Sequence, residues 1–182
     1  MNFCARGFNL YLLPAILLLT AVCGCQSDQT SHSGKADKHL SALRLYVENG
    51  AQLAGSGQTV SVIRANPVLV TVNTEPALTE ASIVSATLLE SPVGYAVEVK
   101  FDEMGTLSLE QYTAAYSGKH FVIFGQWSDK TVDSRWLAAP IITHRIKDGV
   151  FAFTPDASHE ESKQLVIGLN NMAKKIAKGK MK

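Results

Sequence analysis

The run Phe121-Val122-Ile123-Phe124 places large apolar side chains at consecutive positions. Side chains alternate between faces along a strand, so a strand here must be covered on both sides. The run sits inside a longer stretch, Gly94 to Met172, around which the chain is organised. Tyr95, Val97, Val99 and Phe101 alternate with Ala96, Glu98 and Lys100, which predicts a strand with one wet face. Gly105 ends it. Ser108 and Gln111 match a capping box, with Leu107 and Tyr112 at the staple positions. Leu109, Tyr112 and Tyr116 keep helical spacing, and Ser117-Gly118 supplies a stop. Beyond the apolar run, Gln126 to Ser134 is polar and reads as a loop. Trp136 to Pro140 then leads into a strand over Ile141 to Ile146. Pro140 cannot donate to a ladder and belongs at a strand start or an edge. Asp148-Gly149 predicts a type I′ turn that pairs this strand with Val150 to Phe153. Ser158 and Glu161 form a second capping box. Leu165, Leu169, Met172 and Ile176 follow it as one apolar stripe, expected to pack on the sheet.

The first half of the body is strand-rich. Leu43, Leu45 and Val47 alternate within Leu40 to Glu48, and Thr59 to Arg64 is β-branched and alternating. Between them, Gly50, Gly55 and Gly57 mark a turn. It is no phosphate loop, because no Lys-Ser or Lys-Thr follows the glycines. Asn66-Pro67 breaks the chain before a third strand, Val68 to Val72. Thr79 to Ser85 fits a short helical turn, and Ala86 to Glu90 starts the next strand.

All three cysteines, Cys4, Cys23 and Cys25, fall in the first 25 residues. The body therefore has no disulfide, no thiolate metal ligand and no cysteine nucleophile. Arg6 and the apolar run Leu10 to Val22 have the pattern of a secretory signal, too short to span a bilayer. Val22-Cys23-Gly24-Cys25 resembles the bacterial lipobox. That resemblance implies cleavage after residue 24 and diacylglyceryl and acyl chains, such as palmitate, on Cys25. Several chains on one residue give stable anchoring. Gln26 after the cysteine leans towards the outer membrane, facing the periplasm, because such lipoproteins retained in the inner membrane favour Asp there. Gln26 to Lys38 is polar throughout, and as a flexible tether it spans roughly 20 Å.

Removing Arg6 with residues 1–24 takes the 17 basic residues to 16, equal to the 16 acids. A neutral mature chain lacks the positive excess that nucleic-acid binding draws on. The local surplus is the tail, Lys174, Lys175, Lys178, Lys180 and Lys182, which reads as a helix end complementing its dipole or as a patch for anionic headgroups.

Candidate chemistry is thin. His159-Glu160 lacks the second histidine of a zinc protease, since Lys163 stands there. His32 and His39 have no motif around them. His120, His144 and Asp156 are the residues from which a metal site would be assembled. Asp102 and Glu103 are adjacent, which on a strand points them apart and rules out a paired-carboxylate site. No Gly-x-Ser-x-Gly elbow occurs. Trp127, Trp136 and Tyr116 are candidates for an aromatic patch that takes an extended peptide, against core or rim packing.

Phe101-Asp102-Glu103-Met104-Gly105, Thr113, Gly118-Lys119, Ala139-Pro140-Ile141, Ile146-Lys147-Asp148-Gly149 and Glu160-Glu161, in this order, resemble the P1 head subdomain of SecD, from the SecDF protein-export factors. The resemblance runs from about Thr59 to Leu169. It implies an α+β fold of the SecD-head type, with a mixed or antiparallel sheet, two packed helices and a ferredoxin-like core. In SecD that head contacts emerging polypeptide and moves with a membrane proton channel. This chain lacks the membrane-embedded acid and the Asp-Leu-x-Gly-Gly stretch of the SecD base, so a fold and a binding surface carry over but not a motor.

The expected organisation is a signal peptide over 1–24, lipidated Cys25 with a tether over 25–38, an α+β domain over 39–177 and a lysine-rich tail over 178–182. The expected function is a non-enzymatic, protein-binding envelope lipoprotein, possible as an accessory to protein export, without metal, cofactor or nucleic acid. A small envelope hydrolase or metal-dependent enzyme and a structural subunit of a membrane complex are the alternatives. If Cys25 carries the lipid, Cys25→Ser moves the protein from the membrane pellet to the soluble fraction. Retention of the variant in salt-washed membranes would exclude the anchor.

Overall fold

The computed structural model describes residues 39–49, 57–128 and 131–180. Its strands are β1 (Ala42–Val47), β2 (Gly57–Val62), β3 (Val68–Asn73), β4 (Ile83–Ser91), β5 (Gly94–Phe101), β6 (Phe121–Ser128), β7 (Val132–Ala138) and β8 (Val150–Phe153). Helix α1 (Glu103–Ala115) lies between β5 and β6, and α2 (His159–Lys180) follows β8. A single 3-10 turn, Glu80–Ser82, precedes β4. The strands make three antiparallel sheets, ordered β1-β6-β7, β2-β3 and β4-β5-β8. The chain is α+β, as the sequence predicts.

The double burial of β6 sets the layers. Phe121, Ile123 and Trp127 face the main core with Leu43, Leu45 and Val47 of β1, Val97, Val99 and Phe101 of β5, and Leu165 and Leu169 of α2. Val122 faces the other way, into a smaller cluster with Val60, Val62, Val70 and Val72. The β2-β3 hairpin is therefore the cover for the second face of β6. Gly125 keeps the sheet tight, since a Cβ there would lie 2.4 Å from Leu137.

Helix α2 starts where the capping box puts it. The Ser158 N–H donates to Glu161 Oε2 at 2.6 Å, and the Glu161 N–H donates back to Ser158 Oγ at 3.2 Å. The helix carries Leu165 and Leu169, each 1% exposed, onto the core. The stripe stops there, because Met172 and Ile176 are only half-buried. The tail from 178 onward that the sequence separates from the body continues α2 to Lys180.

Several sequence expectations differ from the structure. Helix α1 begins five residues before Ser108. Its N-cap is Asp102, whose carboxylate accepts from the Gly105 N–H at 2.8 Å. Ser108 instead donates to the Met104 carbonyl at 3.0 Å, so the Ser108–Gln111 box is not formed. Gly105 ends no strand. It lies in the first helical turn against the 3-10 turn, where a Cβ would come 2.8 Å from that of Ser82 and 2.9 Å from that of Phe101. Close approach, not backbone freedom, explains this glycine.

Gln126 to Ser134 is largely the two arms of the β6-β7 hairpin, with Gln126 opposite Ser134 and Trp127 opposite Asp133. The hairpin runs past the core into solvent, which is why its composition is polar. Ile141 to Ile146 is not a strand. It makes one bridge, Ile141 to His120, and β8 pairs with β5 instead. Asp148-Gly149 is no type I′ turn, because Gly149 has φ +70° and Asp148 is not in the left-handed region. Gly149 serves a contact with α1, where a Cβ would meet Thr106 Oγ1 at 2.1 Å. Cys25, the residue 1–24 leader, the whole tether to Lys38 and the Gly50–Gly55 turn lie outside the described residues.

Leu169→Ala removes a fully buried side chain and is expected to cost about 2–5 kcal/mol. Gly105→Ala forces the 3-10 turn and α1 apart and is expected to cost about 1–3 kcal/mol. Thermal or denaturant melts check both, and an unchanged midpoint in either would contradict this packing.

Candidate functional site

Sheets bind other chains at their edges, so the free edges locate the candidate surface. The outer edge of β1 is closed by bonds from the Leu45 N–H to the Leu78 carbonyl at 2.9 Å and from the Ala77 N–H to the Leu45 carbonyl at 2.8 Å. The outer edge of β4 is closed by Asn170 of α2. Its amide accepts from the Ala86 N–H at 3.0 Å and donates to the Ala86 carbonyl at 2.8 Å. No strand among the described residues pairs with the outer edge of β8.

The register shows which groups that edge offers. The Phe101 N–H donates to the Gly149 carbonyl at 2.9 Å. Along the same register, Val99–Phe151 and Val97–Phe153 are the hydrogen-bonded pairs. Val150 and Ala152 therefore turn their N–H and C=O groups away from β5. Asp148 Oδ1 takes up the Val150 N–H at 3.1 Å. The Ala152 groups and the Val150 carbonyl remain at the open edge.

Opposite this edge runs the segment Pro140 to Asp148. It is held without being a strand. The Phe121 N–H donates to the Pro140 carbonyl at 2.9 Å, the Ile142 N–H to the Lys119 carbonyl at 2.8 Å, and the Ile146 N–H to Thr113 Oγ1 at 3.0 Å. Arg145 pairs with Glu110 of α1 at 2.7 Å. Segment and edge enclose a depression of about 600 Å³, with Ile141, Phe121 and Phe151 among its walls and His144 and Lys147 on its rim. Pro140 also lines a second depression, of about 510 Å³, walled by Ile63, Leu137, Phe153 and Pro155. The result is a groove in two parts that share Pro140, lined by apolar and polar side chains, with free main-chain groups along one side.

The tip of the β2-β3 hairpin reaches the second depression in a strained conformation. Ile63 has φ +68°, the one non-glycine positive φ among the described residues. A β-branched residue held there costs of order 1–3 kcal/mol. The next residue supplies the compensating bonds. The Arg64 N–H donates to Asp156 Oδ2 at 2.7 Å, and the guanidinium reaches the same carboxylate at 3.3 and 3.5 Å. The Asp156 N–H in turn donates to the Leu137 carbonyl at 2.7 Å. Nothing in the sequence marks Ile63, because isoleucine disfavours that conformation.

The candidates named from sequence are not brought together. Trp127 is 2% exposed, beneath the Arg135 guanidinium, which lies 5.0 Å from its ring centre. Trp136 is half-buried and packs edge-on against Tyr46 and Phe124, while Tyr116 stacks on Tyr112. The three aromatics form no shared patch. His120 Nδ1 pairs with Glu48 at 2.7 Å, His144 Nδ1 with Thr143 at 3.0 Å, and Asp156 with Arg64. Among the described residues no group of three or more His, Cys, Asp or Glu side chains is placed to hold a metal. Nor is any of their helices long and apolar enough to cross a membrane. His159 Nε2 pairs with Glu90 at 2.8 Å, and Asp102 is a helix cap.

The sequence profile of the family described as SecDF, P1 head subdomain, matches residues 57–173. Among solved structures, the chain is similar to that of a membrane component SecDF that enhances protein export, at 18% identity and a TM-score of 0.50, covering 73% of this chain and 63% of that one. It is similar to SecDF in a super-membrane-facing form, also at 18% identity and a TM-score of 0.50, covering 71% of this chain and 18% of that one. The chain thus spans under two thirds of either relative. At this identity the likeness establishes the fold. No curated protein matches the sequence.

Three carboxylates are held below their ordinary values. At Asp156 the Arg64 N–H is the main cause, outweighing burial, with the guanidinium adding to it. At Glu48 burial pushes upward, but bonds from the His120 ring and N–H prevail. At Glu161 burial is likewise outweighed, by Ser158 and Arg135. A depressed folded-state pKa gives stability that is full above the unfolded value and is lost as pH falls through the folded one. The melting midpoint should therefore fall on acidification below the ordinary values of 4.5 for glutamate and 3.8 for aspartate. Asp156→Asn should remove part of that dependence and cost about 1 kcal/mol at neutral pH. A midpoint flat through this window would contradict the three pairs.

Proposed function

The chain belongs to the SecDF P1 head family, and on that premise we propose that it is a non-enzymatic polypeptide-binding module of the bacterial envelope, accessory to protein export. Lipidated Cys25 holds it at the membrane, on the periplasmic side of the outer membrane, and the residues up to Lys38 give the domain reach. The observation that supports binding over catalysis is the open β8 edge beside a groove with Phe121, Ile141 and Phe151 among its walls. An extended segment adding to that edge would bond to the Ala152 N–H and C=O, and its alternate side chains would enter the depressions on either side of Pro140. Main-chain bonds are blind to sequence, which suits a domain that meets many unfolded chains.

A reduced and alkylated, permanently unfolded polypeptide tests the proposal. The protein is expected to bind it, and Ile141→Glu, at a position 56% exposed, is expected to weaken binding at least tenfold with the melt unchanged. Ala152→Pro, which deletes an edge N–H, should weaken it similarly. Unaltered binding by a folded Ile141→Glu variant would move the site elsewhere.

A further inference from the structure

Beyond Asn171 no residue of α2 among those described is buried, and only Met172, Ala173 and Ile176 are half-buried. Leu169 is its last buried residue, and Asn170 and Asn171 are the last whose side chains bond to the body. From Met172 to Lys180 the helix continues for about 13 Å. Lys174, Lys175 and Lys178 are exposed along it, no acid lies among them, and no ion pair involving them occurs among the described residues. Complementing the helix dipole accounts for a lysine in the last turn only. Lys174 and Lys175 lie further in.

The position of these lysines relative to the incoming chain is informative. Asn171 Nδ2 donates to the His39 carbonyl at 3.0 Å, and His39 Nδ1 pairs with the Ser128 carbonyl at 2.7 Å. The body therefore receives the preceding chain against α2 at Asn171. Asn171, Lys174, Lys175 and Lys178 stand at positions i, i+3, i+4 and i+7 and share one helix face. The three ammonium groups lie on the face where the chain from Cys25 arrives.

We propose that this lysine face docks on anionic phospholipid headgroups and lays the domain against the membrane. The proposal rests on the anchored reading of Cys25, because a few lysines bind an anionic surface weakly, about fivefold each. A tether of roughly 20 Å raises the local concentration of headgroups enough to make that weak affinity count. The open β8 edge would then be presented in a fixed attitude to the membrane.

The test uses the chain from residue 25 onward, carrying Cys25→Ser, and phosphatidylcholine vesicles with and without phosphatidylglycerol. At millimolar lipid and low ionic strength, where the weak untethered affinity of three lysines is measurable, sedimentation should show binding only with phosphatidylglycerol, abolished by high salt. The triple variant Lys174→Gln, Lys175→Gln, Lys178→Gln should bind roughly a hundredfold more weakly, with an unchanged melt. Equal binding by parent and triple variant, or binding indifferent to phosphatidylglycerol, overturns the proposal. Mass spectrometry of the native membrane-extracted protein separates the two readings. An unmodified Cys25 with lysine-dependent vesicle binding removes the anchor and leaves the docking face. An acylated Cys25 with lysine-independent binding removes the docking face and leaves the anchor.

Discussion

Everything in this fold depends on β6 being buried on both faces. A strand with Phe121 and Ile123 on one side and Val122 on the other cannot lie at a surface without exposing several apolar side chains, each worth about 1.5–3 kcal/mol of burial. One face takes the helices and the β4-β5-β8 sheet. The other takes the β2-β3 hairpin, too small to be stable by itself in water. The hairpin is fixed by the valine cluster at its middle and by Arg64 on Asp156 at its tip. That tip bond holds Ile63 in its strained conformation and sets one wall of the groove.

Features decided locally were legible in the sequence. The Ser158–Glu161 box needs only residues three apart, and it forms. The alternation over Tyr95 to Phe101 and the apolar run at Phe121 each record a burial pattern the structure keeps. Features decided by distant contacts were not legible. Gly105 has the appearance of a breaker and is a packing contact with Ser82, which lies outside any local window. Asp148-Gly149 has the composition of a hairpin turn, but Val99 and Lys100 compete for β8 and win it. Once β8 has gone to β5, Ile141 to Ile146 has no partner and becomes the wall of a groove. The site is thus the by-product of a pairing choice that composition does not encode. Pro140, expected at a strand start or an edge, lies in no strand; it stands between β7 and the bridge at Ile141 and lines both depressions.

The treatment of the edges gives the groove its meaning. An exposed edge invites uncontrolled association, and two edges here are closed by side chain or main chain. Asn170 is placed to satisfy both polar groups of Ala86, a specific device for a single residue. Among the described residues β1 and β4 are closed in this way, while no strand pairs with the outer edge of β8, which borders the depression walled by Phe121, Ile141 and Phe151.

Helix α2 ties these layers together by dividing its tasks along its length. Its first turn is locked by Ser158 and by Arg135, whose guanidinium meets Glu161 at 2.5 Å while covering Trp127 of β6. Its middle buries Leu165 and Leu169 in the main core. Asn170 then closes β4, and Asn171 holds the chain at His39. Apart from exposed Lys163 near its start, the lysines of the helix begin only beyond these residues, and Lys174, Lys175 and Lys178 are all exposed. A charge segregated in this manner is cheap for the fold, because the lysines stay hydrated and their removal leaves the core intact. Acid at one end and base at the other also align with the helix dipole, so the same arrangement that stabilises α2 leaves its far end free for a surface outside the domain.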